Sequence, residues 1–455
     1  MNTPAPPEAN ATVALARFAS AFERTHLSDA DAAVVRASLL DWLGCCVAGA
    51  MEPPVCSLDA VLGPMAGAAQ ASLLVRGRRA SILDAAMLNA AAGCVHDLDD
   101  LHAGIIAHPA AVIAPAVLAL GESLGAPGSE LVAAYAVGFE VMVRIGLAVE
   151  PELYQRGWHA TGVLGVFGAC AGACRLLRLG EARTVAALGI AATQASGLRE
   201  LMGTAARCIH QGRAASAGVL AALWAAQGVA SCADPIDGRY GLRVLSGTLR
   251  PEAIRDGLGR RLHLHETAYK RHAASGSLHA AIDAAIALRN AHGVSPDAVD
   301  RVVVRVHPLA LDLCAPHADP ADAFSAKQSL HMAVALALKE GRCDLDLFTP
   351  STLADPTVRA LRARVSASAD PSMQYVEAMP AEIVLVTRDG DRLVRRVDVP
   401  KGRPSHPMSW PELVSKFDAL AAATLGDSRR RAVVEAVERL DATTVPSLLA
   451  PLAGT

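Results

Sequence analysis

The chain has 455 residues, of which 52% are hydrophobic, 19% charged and 4% aromatic, with a formal net charge of −3 from 42 Lys+Arg and 45 Asp+Glu. A chain of this length buries a large core without disulfides or metals, and the composition excludes both a disordered protein and a disulfide-stapled secreted module. With no basic excess to neutralise phosphates and few rings to stack on bases, nucleic acid is excluded as a partner.

Mean hydropathy is +0.30, so a membrane span has to be considered. The runs 103–120 and 160–174 are the most apolar in this reading, but the first carries His108, Pro109 and Pro115 and the second is short and Gly-rich. A spanning helix needs about 20 apolar residues, so both are expected to be core helices and no membrane is expected as a partner. The opening Met1-Asn-Thr-Pro-Ala-Pro-Pro has neither the charged nor the apolar region of a signal peptide. The ten cysteines are scattered without a CxxC pair, so reduced thiols in a cytoplasmic protein are expected, with no zinc site.

In chain order, residues 8–255 read as nearly continuous helix, rich in Ala, Leu, Val and Gly at 3–4 spacing. Ser28 is the expected N-cap of a helix from Asp29, Ser81 (or Asp84) of one running to Ala92, and Ser129 of one over 130–149. Further helices are expected from Glu181 to Gly197 and from Arg213 to Gln227. Several are apolar nearly all round, which requires a central place in a multilayer bundle. The texture changes near residue 263. Val302–Val306 and Ala381–Thr387 alternate like strands, and Asp389-Gly390 before Arg392-Leu-Val marks a hairpin. After Pro400-Lys-Gly-Arg-Pro the chain turns helical again, over 410–425 and 429–440. The expected fold is mainly α. A large all-helical domain spans 8–262 and 405–450, and a smaller α+β lid domain spans 270–400.

The densest polar cluster is His96-Asp97-Leu-Asp99-Asp100-Leu-His102 with His108-Pro109, three carboxylates and three histidines within 13 positions. Charges in an apolar stretch are costly unless they are paired or functional. Helix capping and a core-bonded histidine would be the plain account. Asp97-Leu-Asp-Asp also has the D-x-D-D form of a proton-initiated terpene cyclase, but such a site needs aromatic walls. A His/carboxylate metal site lacks a second ligand pair. Metal-free acid–base chemistry beside cationic anchors fits best. Two anchors are visible: Gly203-Thr-Ala-Ala-Arg207-Cys-Ile-His210-Gln-Gly-Arg213, and Lys270-Arg271-His272 before Ser275-Gly-Ser277-Leu-His279. The second combines basic residues with a helix start that Ser275 or Ser277 would cap, which is the make-up of an anion site. Gly157-Trp-His159-Ala-Thr-Gly is a third polar knot. For each of these, solvated charge or a core histidine is the competing account.

Together with Asp41-Trp-Leu-Gly-Cys and the 400–409 segment, these segments resemble, in order from about residue 10 to 450, the MmgE/PrpD family. That family includes 2-methylcitrate dehydratase, cis-aconitate decarboxylase and iminodisuccinate epimerase. The family pattern D-F-D-D-T-H…H-P stands here as Asp97-Leu-Asp-Asp-Leu-His102…His108-Pro109. The resemblance implies Asp97, His108, His159 and Lys270 as catalytic residues. It implies substrate contacts from His102, Arg207, Arg271, Ser275 and His279. It further implies a homodimer that uses neither metal nor organic cofactor on a small di- or tricarboxylate.

The expected activity is a hydro-lyase resembling 2-methylcitrate dehydratase, which removes a proton α to a carboxylate and eliminates water. An epimerase of the iminodisuccinate kind is the alternative, a decarboxylase ranks below it, and a non-catalytic anion-binding relative is a third class. Four positions depart from the family pattern: Leu101 for Thr, Arg207 for Lys, Ser275 for the decarboxylase His, and Met332 for Tyr.

Overall fold

The computed structural model describes residues 10–65, 67–373 and 379–454. The expectations for residues 1–9 lie outside the described residues. The described chain is mainly helical with two small sheets, and it falls into two compact units. One comprises Met1–Val95, Gly104–Glu266 and Leu413–Thr455, the other His96–Ala103 and Thr267–Glu412.

The first unit is built on Ala- and Gly-rich helices that approach closely. The Ala160–Leu176 helix, buried along its whole length, packs against Gly128–Val149 and Arg207–Ala226. Arg207–Ala226 packs in turn on Ile82–Cys94, which is flanked by Asp29–Gly49 and Ala110–Leu124. A helix with no polar face has to be surrounded, and this one is. Gly218 shows how tight the crossing is: a Cβ there would lie 2.5 Å from the Ala169 Cβ and 2.7 Å from the Val166 carbonyl. Ser28 and Ser81 cap their helices as expected, accepting from the Asp31 and Asp84 amides.

Several expectations need correction. Ser129 caps nothing: that helix starts at Gly128, after Pro127. The Glu181 helix ends at Ala192, and the helix expected from Arg213 begins at Arg207. Nor is the unit all-helical, because β1 (Ala71–Leu73) and β2 (Arg78–Ala80) form an antiparallel pair. Such three-residue strands are too short to show an alternating pattern.

The apolar test also missed two helices. Asp29–Gly49 and Gly128–Val149 have the length and hydropathy of membrane spans, but 72% and 94% of those windows are buried within the chain. Gly128–Val149 carries a fully buried pair: Arg144 Nε lies 2.6 Å from Glu140 Oε1. The guanidinium also donates to the carbonyls of Ile254, Asp256 and Arg261, and Glu140 accepts from the His263 amide. Both charges are thus satisfied while they fasten the 254–263 loop to the core.

In the second unit the sheet order is β4 (Val365–Ala369), β3 (Val299–Val306), β5 (Ala381–Thr387), β6 (Arg392–Val397). β3 runs parallel to β4 and antiparallel to β5, and the expected hairpin joins β5 to β6, with Gly390 at φ +92°. Val302, Val304 and Val306 are buried while Arg301 and Arg305 face out. The helix His279–His292 packs on β5, β6 and the Leu330–Glu340 helix. His96–Ala103 groups with this unit, not with the helices on either side of it in sequence. Leu101 and Ala268 exchange two backbone hydrogen bonds of 2.8 Å, which pull the segment in.

Two predictions follow from the packing of the first unit. Gly218→Ala drives a methyl into the facing helix, and overpacking of this kind costs about 1–3 kcal/mol. The urea midpoint should fall, and an unchanged midpoint would refute so close a crossing. Glu150 closes the Gly128–Val149 helix; burial, with a smaller push from Glu152, raises its carboxyl to about 7 against the opposing Tyr154 amide and Arg250. The folded form therefore holds this proton at a pH where the unfolded chain, with its ordinary value of 4.5, has lost it. That contribution to stability falls as pH rises between the two values. Glu150→Gln should unfold at a higher temperature than wild type above pH 7, with the gap closing toward pH 4.5.

Candidate functional site

In the second unit the polar cluster is organised around Asp97. Its backbone is left-handed, at φ +56°, a conformation aspartate tolerates better than most residues. Lys270 Nζ donates to the Asp97 carbonyl at 2.7 Å and to Oδ1 at 2.8 Å. Gln328 Nε2 donates to the other carboxylate oxygen at 2.9 Å. Lys270 and the Asp97 side chain are 4% and 11% exposed, so the pair is fixed and nearly dry. Beside it, Lys327 Nζ lies 3.1 Å from His96 Nδ1. Asp99, Asp100 and His102 are buried in the same segment.

The turn after Lys270 departs from the expected helix N-terminus. The α-helix starts at His279, after a 3₁₀ turn over Gly276–Leu278, and Ser275 makes no side-chain cap. Ser275 Oγ instead lies 3.1 Å from Ser277 Oγ, and its amide donates to the Lys327 carbonyl. His279 is buried, with Nε2 3.2 Å from the Ala274 carbonyl. Burial, then His272, Arg403 and Lys270, hold it well below the usual histidine range. It is therefore a neutral brace for the turn. Arg271 is half exposed and 3.8 Å from Asp283 Oδ1. His272 sits closer to that oxygen, at 2.9 Å. Burial pushes Asp283 up, but His272, the Lys401 amide and Arg271 outweigh it and hold the carboxyl below its ordinary value.

In the first unit the candidate histidines stand at helix starts. His159 precedes Ala160–Leu176, and its amide donates to the Gly197 carbonyl while the Arg199 amide donates to that of Gly157. This short ladder clamps the loop. The His108 amide donates to Thr161 Oγ1 at 3.1 Å, tying the segment before Ala110–Leu124 to the first turn of the His159 helix. Both histidines are largely buried. Arg207 is 2% exposed and spends one arm on the protein: Nη2 donates at 2.7 Å to the Cys94 carbonyl, at the last residue of Ile82–Cys94. A cation there also meets the negative end of the helix dipole.

Residues 13–252 match the MmgE/PrpD N-terminal domain, and residues 272–442 match the MmgE/PrpD C-terminal domain. The chain belongs to the MmgE/PrpD family. Among its relatives, the cis-aconitate decarboxylase-like protein oryM of Aspergillus oryzae is 28% identical over 99% of both chains. Cis-aconitate decarboxylase of Aspergillus terreus is 27% identical over 80% of each chain. The Homo sapiens cis-aconitate decarboxylase is 27% identical over 73% of this chain and 72% of its own.

Sequence reasoning chose Asp97 and Lys270, which meet, and noted His210 without giving it a role, but overlooked Lys327 and Gln328. The overlooked signal was a lysine and a glutamine at the start of an apolar helix. Removing one partner of a buried pair strands the other charge, at a cost of about 3–5 kcal/mol. Asp97→Asn, which tolerates the same backbone, should lower the unfolding midpoint markedly. Adding Lys270→Met should restore part of the loss; a double variant no better than Asp97→Asn would show that the two do not interact.

Proposed function

We propose that this MmgE/PrpD protein is a lyase acting on a small di- or tricarboxylate, with proton transfer at the carbon α to a carboxylate as its chemical step. The observation that carries this reading is the buried Lys270 ammonium held in place by Asp97. Two of its three N–H groups are committed to Asp97, and the third, with no acceptor among the described residues, would donate to a substrate carboxylate. The α-proton of a carboxylate is weakly acidic, because removing it piles charge onto an already anionic group. A preorganised cation lowers that barrier by meeting the charge as it develops.

His108 and His159 are the proton carriers in this reading, since neutral imidazoles work near physiological pH. In a hydro-lyase reaction the α C–H bond breaks, its electron pair forms the alkene, and the β-hydroxyl leaves as water after taking a proton. Ser275, standing where the decarboxylase has His, favours this dehydratase form over decarboxylation, whereas Arg207 and Met332 depart from the dehydratase pattern and leave room for an epimerase. Decarboxylation is the second reading, favoured by the names of the relatives. It uses the same groups in the opposite sense: the C–CO₂ bond supplies the electron pair, and an imidazole returns a proton to carbon. The reading needs no metal, and activity should withstand exhaustive chelation.

Citrate, 2-methylcitrate and cis-aconitate should be incubated separately and followed by NMR. A new alkene from a hydroxy acid supports the dehydratase. Loss of CO₂ from cis-aconitate supports the decarboxylase, and α-deuteration in D₂O without either product identifies an epimerase. On the accepted substrate, Lys270→Ala should lower kcat by about 10²–10³-fold and change KM less. Near-normal turnover would remove Lys270 from the mechanism.

A further inference from the structure

His159 is bound to a second histidine that the proposed chemistry leaves unused. Its Nδ1 lies 2.9 Å from Nδ1 of His210, with the rings 5.1 Å apart and inclined at 45°. Gly197 is moulded around the pair. It sits at φ +132°, and a Cβ there would come to 3.4 Å from His210 Nδ1 and 3.5 Å from the His159 Cβ. Gly162 is equally close, since a Cβ on it would lie 3.2 Å from the His210 Cβ. The His159 amide is itself fixed to the Gly197 carbonyl. The contact is therefore built by the backbone on both sides.

Two nitrogens at 2.9 Å hold one proton between them. A neutral imidazole has one N–H, so the bond sets the tautomers of both rings. If His210 donates, His159 keeps its proton on Nε2 and has no lone pair there. If His159 donates, its Nε2 carries the lone pair. Only the second arrangement lets His159 accept a proton at Nε2 while the Nδ1–H bond stays as it is. In that arrangement His210 is the acceptor. It stands in the first turn of Arg207–Ala226, near the positive end of that helix. Burial and the adjacent Arg207 hold its pKa below the ordinary value, so it stays neutral and keeps one ring nitrogen with a lone pair.

We infer that His210 is a positioning residue that accepts the His159 Nδ1–H, fixing the tautomer in which His159 Nε2 is a base. The inference rests on the reading that His159 takes a proton from substrate, but its test does not require a substrate. The full chain is labelled with ¹⁵N-histidine and examined at pH 8, with His159 assigned by its disappearance in His159→Gln. The expected result is a His159 ring protonated on Nδ1, unprotonated on Nε2, and coupled through the hydrogen bond to His210 Nδ1. In His210→Leu the proton should move to Nε2. In His210→Asn, whose amide oxygen can accept in the same place, it should stay on Nδ1.

On whichever of citrate, 2-methylcitrate or cis-aconitate is turned over, His210→Leu should lower kcat about 10–10²-fold with little change in KM, and His210→Asn should recover most of the loss. A wild-type His159 protonated on Nε2, or a tautomer indifferent to His210→Leu, overturns the inference. Full activity in His159→Gln would instead overturn the proposed role of His159 as proton carrier and leave the tautomer result standing.

Discussion

The Asp97–Lys270 pair organises the polar half of the second unit. A lysine that is 4% exposed keeps its charge only with a fixed anion beside it. That anion comes from a residue 173 positions away, on a left-handed turn. The neighbouring contacts follow from this choice. Gln328 steadies the second carboxylate oxygen, and the exchange between Leu101 and Ala268 holds together the two loop segments that carry both partners. The acidic segment is thereby held within the second unit.

The first unit meets a different constraint. Its helix sides are mostly apolar, and the candidate functional groups stand at helix ends. His108 and His159 stand before helix starts, Arg207 opens a helix, and His210 lies one turn later. Small residues bring these ends close, and two further glycines, Gly162 and Gly197, border the His159–His210 contact. Helix starts carry partial positive charge, which suits neutral imidazoles and bound carboxylates.

Family membership accounts for the order of these motifs along the chain, but the local environments assign their tasks. His279 looks like a substrate ligand from its place after Lys270. Buried and bonded to the Ala274 carbonyl, it is a neutral brace. Arg207 looks like a cation for substrate, and part of its guanidinium is spent on the end of a helix. Each gives part of its bonding to the fold itself, because a buried carbonyl at a turn or a helix end has to be satisfied.

What the sequence determined by itself lay among the features that depend on neighbours in the chain, though not all of them, since Ser129 and Ser275 cap no helix. Ser28 and Ser81 cap their helices because capping is settled within four residues. The alternation of Val302, Val304 and Val306, and the Asp389-Gly390 turn, make the hairpin sheet legible for the same reason. The polar segments were also visible, as charges that an apolar stretch would not carry without cause. Tertiary structure alone decided which of those charges meet. Asp97 finds Lys270 and Gln328 at separations of 173 and 231 residues, and His159 finds His210 across 51. Hydrogen bonds act over about 3 Å in space and carry no trace of sequence distance, so no local pattern could encode these partnerships.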